Sequence, residues 1–298
     1  MKPQTCQLPH SAISKVILCA ALYPSSRELL AHALCTTRLP VQLVRLLVSF
    51  IFFYISLLLP FPRLAHAENP TPSISTPTIV TTTGMLADTV RNLVPEKVLV
   101  KSLIGSGVDP HMYKPTRSDI ASLLNADLIF FNGLQLEGRF EHALERIARA
   151  KANVIGVGDL LDPSLLQAPE GHEKTYDPHI WMDPVLWKEV TRLISQHLIE
   201  HFPHLTSTMN RNTESYLRQL DSLHAFAESS IGSIAENSRI LVTAHDAFHY
   251  FGHRYNVRVI GIQGVSTESE AGIRDINNIV RTLIDHGVPA VFIESTVS

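Results

Sequence analysis

Three histidines stand in similar surroundings at distant points of the chain. His111 follows Val108-Asp109-Pro110 and precedes Met112-Tyr113. His179 lies inside Asp177-Pro178-His179-Ile180-Trp181-Met182-Asp183-Pro184, and His245 lies in Thr243-Ala244-His245-Asp246. The residue before a proline is pushed towards extended backbone, so each Asp-Pro-His turn is stiff and non-helical and presents its imidazole from a preorganised chain. An unprotonated imidazole nitrogen is a good ligand for zinc and its neighbours. Three such residues in three strand-ending loops suggest one metal site assembled from across the chain. Each histidine taken singly is equally compatible with a loop imidazole bonded to a backbone carbonyl. Asp177 and Asp183 could each orient the His179 ring from outside or cap turns, and Trp181 reads as a hydrophobic plug.

A second arrangement competes for His245. Read as the start of a helix, His245, His249 and His253 fall at i, i+4 and i+8 on one face, and His245 with His249 could then bind zinc as in H-E-x-x-H proteases. That chemistry needs a glutamate base where this chain has Asp246, and Tyr255 stands where an extended motif would supply a third histidine. Gly171-His172-Glu173-Lys174 reads as a solvated loop. The run Gly261-Ile262-Gln263-Gly264-Val265-Ser266-Thr267 has a loose glycine pattern without a phosphate-binding lysine, which argues against nucleotide binding. Glu268 and Glu270 are expected to cap the helix that starts at Gly272-Ile273.

The elements that must position these residues alternate. Strands are expected at 78–83, 98–104, 128–132 and 153–157, with helices from Met85 to Leu93, after Thr116-Arg117-Ser118-Asp119, and from Phe140 to Ala150. Leu128 to Asn132 shows little apolar–polar alternation, as a strand covered on both faces should. Helix then dominates: 185–202, followed by a stretch from Leu205 to about Ala235 with an apolar stripe of Tyr216, Leu217, Leu220, Leu223, Phe226 and Ala227. Strands at 239–243, 257–262 and 290–294, with a helix over 273–286, resume the alternation. The pattern predicts an α/β protein: two lobes of parallel sheet flanked by helices, joined by one long, rigid helix. The expected divisions are 78–203, 204–236 for the linking helix, and 237–298. In such sheets the functional loops lie beyond the carboxyl ends of the strands, and His111 obeys that rule.

At 298 residues, 45% hydrophobic and 18% charged with a formal net charge of −3, the composition is that of a globular protein and gives no electrostatic reason to expect nucleic acid. The front of the chain differs. Arg45 precedes an apolar run from Leu46 to Leu59, prolines 60 and 62 break it, and Ala65-His66-Ala67 offers small residues for cleavage. That order marks 1–67 as leader and secretory signal, cut after Ala67, and implies a periplasmic protein. Fourteen helical residues at about 1.5 Å each fall short of a bilayer core of about 30 Å. Residues 68–77 read as a flexible tether. All three cysteines, Cys6, Cys19 and Cys35, lie in the leader, so the secreted chain has neither a disulfide framework nor thiolate ligands.

The segments 108–113, 177–184 and 243–248, with Gly261 to Thr267 and Phe292-Ile293-Glu294-Ser295, resemble the metal-binding segments of the zinc/manganese solute-binding proteins of bacterial ABC transporters, the TroA-like group. The resemblance implies two α/β lobes with one divalent ion between them as cargo: Zn²⁺ or Mn²⁺, with Fe²⁺ also compatible. It implies His111 and His179 as ligands from the first lobe and His245 from the second, and delivery to a membrane permease powered by a cytoplasmic ATPase. The family's fourth ligand is a carboxylate on a later loop, which is not reached by Ser298, so the second lobe is expected to be C-terminally truncated; Glu294 is not assigned as a ligand. The expectation is a monomeric transport protein rather than an enzyme, with a zinc hydrolase built on His245 and His249 and an adhesin of the same fold as alternatives. Because a ligating imidazole must be unprotonated, binding should weaken below about pH 6.5.

Overall fold

The computed structural model describes residues 76–295 apart from 152, 170–174, 270 and 289. The leader and signal (1–67), the tether up to Ser75, His172 and Glu270 lie outside the described residues.

The first sheet has four parallel strands, β1 (Thr78–Thr81), β2 (Leu99–Ser102), β3 (Leu128–Phe131) and β4 (Val154–Gly156), in the order β2-β1-β3-β4. The helices between them are α1 (Gly84–Leu93), α2 (Arg117–Asn125) and α3 (Glu141–Ala150). Side chains alternate across a strand, and the cores follow. Ile79, Leu128 and Phe130 join a cluster with Leu86, Val90 and Leu93 of α1, while Val80, Ile129 and Phe131 join Leu123 of α2 and Leu144 of α3 on the other face. All four residues of β3 are therefore buried. From β1 the chain adds β2 on one side and then β3 and β4 on the other, so the boundary between β1 and β3 is the topological switch point of a doubly wound sheet.

Helix α4 (Pro184–His201) lies on the α1 face and packs against α5 (Thr206–Gly232). At 27 residues and about 1.5 Å per residue, α5 is about 40 Å long. Along its length Asn212 donates to the carbonyl of Leu93, the last residue of α1, and His224 meets the Tyr255 hydroxyl. The expected apolar stripe holds only along the first part. Leu220 is buried, whereas Leu223 and Phe226 face solvent. Spacing alone cannot tell where a long helix leaves the body it packs on.

The second sheet pairs β5 (Ile240–His245) in parallel with β6 (Arg258–Gln263) around α6 (His249–Tyr255), with α7 (Ile273–Asp285) following. Three expectations are corrected here. First, residues 290–294 do not form a strand; they contribute a single parallel bridge, Thr243 to Phe292. Second, β5 continues through His245, which pairs with Gln263, and α6 begins only at His249. Asp246 is still held to β6 by its N–H on the Gly264 carbonyl, and Gly261 lets the backbones approach, since a Cβ there would lie 2.6 Å from the Asp246 nitrogen. His245, His249 and His253 therefore do not share a helix face. Third, the N-cap of α7 is Gly272, which has no capping side chain, and the Glu268 carboxylate lies by Gly138, 3.7 Å from where a Cβ there would stand.

Thr116 and Asp119 form a reciprocal capping box at α2, and the Asp119 carboxylate also accepts from the Tyr113 hydroxyl at 2.7 Å. Those bonds hold the Asp119 carboxyl below its usual range, against the effect of burial. Replacing Thr116 with Ala should lower stability by about 1 kcal/mol, read from the urea midpoint at unchanged slope.

Candidate metal centre

The two Asp-Pro-His turns fold alike. Asp109 Oδ1 accepts the His111 N–H at 2.9 Å, and Asp177 Oδ1 accepts the His179 N–H at 2.9 Å. These are local carboxylate-to-backbone turns, and they stand the following imidazole away from its own backbone. His111 lies in the loop after β2, His179 in the segment leading to α4, and His245 ends β5.

The three rings meet. His111, His179 and His245 each offer a nitrogen within 4.8 Å of the other two, and all three residues are buried. Their ring centroids are 5.2–5.9 Å apart and the ring planes are steeply inclined, as imidazoles aimed at a common point must be. His111 Nε2 and His179 Nε2 are 3.3 Å apart. Two ligands about 2.05 Å from zinc at tetrahedral angles would be separated by about 3.3 Å.

Partners behind the rings set the tautomers. His179 Nδ1 is 2.7 Å from Asp177 Oδ1 and His245 Nδ1 is 2.9 Å from Glu294 Oε1. A carboxylate acceptor places the proton on Nδ1 and leaves the Nε2 lone pair directed inwards. Of the two aspartates flanking His179, Asp177 is therefore the orienting one. Asp183 instead caps α4 through the Val185 N–H and pairs with Arg254 of α6 at 2.7 and 2.9 Å. Trp181 packs against the core, with its ring edge on His179 at 5.2 Å between centroids. Glu294 was not singled out as a partner in the sequence, because its role depends on the bridge that brings residue 292 beside β5.

Further bonds tie the sheets across the centre. Asp109 Oδ2 accepts from Thr267 Oγ1 at 2.5 Å, and the Tyr250 hydroxyl of α6 donates to the Asp177 carbonyl at 2.9 Å. The triad opens on a cavity of about 410 Å³ walled by Met85, Ile104, Trp181, Met182 and Ala247, with Glu294 at its edge. A broader groove of about 1050 Å³ touches only His111 of the three and carries Glu141, Asp159, Asp246 and Glu268. His245 ends β5 and His249 opens α6, so the two do not stand one turn apart on a helix as a helical zinc-protease pair must.

Burial, chiefly, and the neighbouring His179 push the His111 imidazole down from 6.5 to about 4, with Asp109 pulling the other way. His111 is thus ready to donate a lone pair well below pH 6.5.

The chain matches the family model for the periplasmic zinc-uptake complex component A over residues 79–298. It is 38% identical over 220 residues to the manganese-binding lipoprotein MntA of Bacillus subtilis (strain 168), covering 74% of this chain and 71% of that one. It is 30% identical over 240 residues to the metal ABC transporter substrate-binding lipoprotein SsaB of Streptococcus sanguinis, covering 78% and 77%. The solved periplasmic zinc-binding protein TroA from Treponema pallidum superposes with a TM-score of 0.72 at 38% identity, covering 75% of this chain and 79% of that one.

Two measurements follow from this geometry. Asp177→Asn should weaken zinc binding by about 10- to 100-fold, the usual effect of losing an outer partner, while Asp183→Ala should mainly lower the melting temperature; chelator-competition titration and calorimetry separate them. In the metal-free protein, the unfolded chain takes up a proton at residue 111 as pH falls from 6.5 to 4 and the folded chain does not. Stability must therefore fall over that window. His111→Gln should lose less stability than the parent between pH 6.5 and 4.5 in urea titrations.

Proposed function

Because the chain belongs to the periplasmic zinc-uptake complex component A family, we propose that it captures one divalent transition-metal ion outside the cytoplasm and hands it to an ABC importer. The cargo is Zn²⁺ or Mn²⁺, with Fe²⁺ also compatible. The ligands are His111, His179 and His245. One observation carries this reading: three buried imidazoles from three separated segments converge within 4.8 Å, two of them held by carboxylates behind the ring. Neutral nitrogen donors of this kind suit the zinc-to-iron range and are poor ligands for magnesium or calcium.

The ion is cargo, so the protein's task is binding and release rather than bond-breaking, and it catalyses no reaction. It works as a monomer, binds no nucleic acid, and has the membrane permease with its cytoplasmic ATPase as partner. It reaches its place of work through the N-terminal signal, cleaved after Ala67. Its working parts are a first lobe over 78–203, a linking helix over 204–236 and a second lobe from 237 onwards. His111 and His179 approach the ion from the first lobe and His245 from the second, so a small shift of one sheet against the other opens the coordination sphere. The Asp109–Thr267, Asp177–Tyr250 and Asp183–Arg254 bonds must adjust in that shift.

The test is metal content and affinity of the purified chain. One equivalent of zinc or manganese is expected. His111→Ala, His179→Ala and His245→Ala should each cost more than about 100-fold, beyond the range for outer partners. His249→Ala should leave affinity unchanged; a collapse in that variant would restore the hydrolase reading.

A further inference from the structure

Doubly wound sheets place ligands in the crevice outside the carboxyl ends of the strands, at the switch point. Here that crevice lies between β1 and β3, and the chain's own Glu137 fills it. The residue is fully buried. Its Oε1 accepts from the Thr82 hydroxyl at 2.6 Å, just past β1, and from the Asn132 N–H at 2.7 Å, just past β3, and its Oε2 accepts from the Gly133 N–H at 3.2 Å. Burial raises this carboxyl to about 7, against the pull of those three bonds.

The loop wound around Glu137 is held in uncommon backbone. Gly133, Leu134, Gln135 and Gly138 all have positive φ, of 75°, 57°, 65° and 49°. For Leu134 and Gln135 that conformation is costly and persists only where surrounding contacts impose it. One end of the loop is bonded to the residue before His179, and the other lies against His111 itself. At one end the buried Asn132 amide donates to the carbonyl of Pro178 at 3.0 Å, the residue immediately before His179. At the other, Gly138 lies flat against His111: a Cβ there would be 2.6 Å from the His111 carbonyl oxygen.

We propose that Glu137 is a positioning residue for the metal centre, its carboxylate clamping residues 132–138 across β1 and β3 so that the loop sets the backbones of His111 and His179 at ligand spacing. The inference rests on the metal-capture reading above. Glu137 touches no ligand ring and acts through Asn132 and Gly138. A glutamine in its place keeps one acceptor but turns an amide N–H₂ towards a backbone N–H, so the loop relaxes and the 3.3 Å spacing of the two Nε2 atoms is lost.

Titration of the purified protein with Co²⁺ and Zn²⁺ tests this, because Co²⁺ visible absorption reports coordination geometry directly. Glu137→Gln should weaken Zn²⁺ binding about tenfold and change the Co²⁺ spectrum. Leu93→Ala, a core truncation at the opposite end of the sheet, should lower the melting temperature without moving either readout. Should Glu137→Gln fail to fold, Asn132→Ala, which removes only the amide bond to Pro178 and its local partner, should show the same loss. Unchanged affinity and spectrum in Glu137→Gln, or in Asn132→Ala where that variant is needed, overturn the proposal while the capture function stands. A parent protein that takes up neither ion overturns both.

Discussion

Three imidazole lone pairs converge on one point inside the protein, and nothing in the ring chemistry makes that favourable without a cation. Like-oriented dipoles repel, and buried nitrogen acceptors without donors carry a desolvation cost. The fold must therefore hold the rings together through groups outside them. Asp177 and Glu294 secure His179 and His245 by their outer nitrogens, and Asp109 secures His111 by its backbone N–H. Two of the imidazoles have a carboxylate behind the ring, and the third has one at its backbone. Those negative charges stand too far back to replace the nitrogens as ligands, yet they favour a cation at the point where the lone pairs meet.

Parallel sheets solve the positioning problem cheaply. The backbone groups of the strands are satisfied along the ladders, which leaves side chains at or beyond the carboxyl ends free to meet a ligand; His245 ends β5 and His111 lies in the loop after β2. The order β2-β1-β3-β4 opens a crevice at the same edge of the first sheet. The second sheet repeats the device on a smaller scale: β5 is flanked by β6 and by the bridge at Phe292, and His245 ends the strand between them. Glu294 reaches the His245 ring because its neighbour two residues back is paired to Thr243.

Much of this could be read in the residue order. The Asp-Pro-His turns are local, since a proline and the carboxylate before it fix the backbone within three residues, and the strands of the first sheet carry unmistakable β-branched and aromatic runs. What escaped was set by contacts distant in sequence. The spacing of His245, His249 and His253 is helical, but pairing with β6 holds the chain extended through His245, and only Gly261 reveals why that close approach is possible. Asp177 and Asp183 are equivalent on paper. Arg254, seventy-one residues further on, decides between them by taking Asp183. In the same way the apolar run of α5 does not announce that Leu223 and Phe226 lie beyond the surface it covers.

The cross-bonds also bear on how an ion could leave. A hinge that swung the sheets wide apart would have to break the Asp183–Arg254 pair, the Tyr250 bond to the Asp177 carbonyl and the Asp109–Thr267 bond together, and α5 is bonded to both α1 and α6. Asp183 is almost fully buried, so separating its pair would strand a charge in poor solvent. A shift of about a few tenths of an ångström leaves these bonds within hydrogen-bonding range. Coordination at about 2.0–2.1 Å is steeply distance-dependent, so on the proposed reading, with His111, His179 and His245 as ligands, such a shift would be enough to loosen the ion. Rigidity around the centre and ease of release are therefore compatible: the first comes from bonds that tolerate small strain, the second from metal–nitrogen bonds that do not.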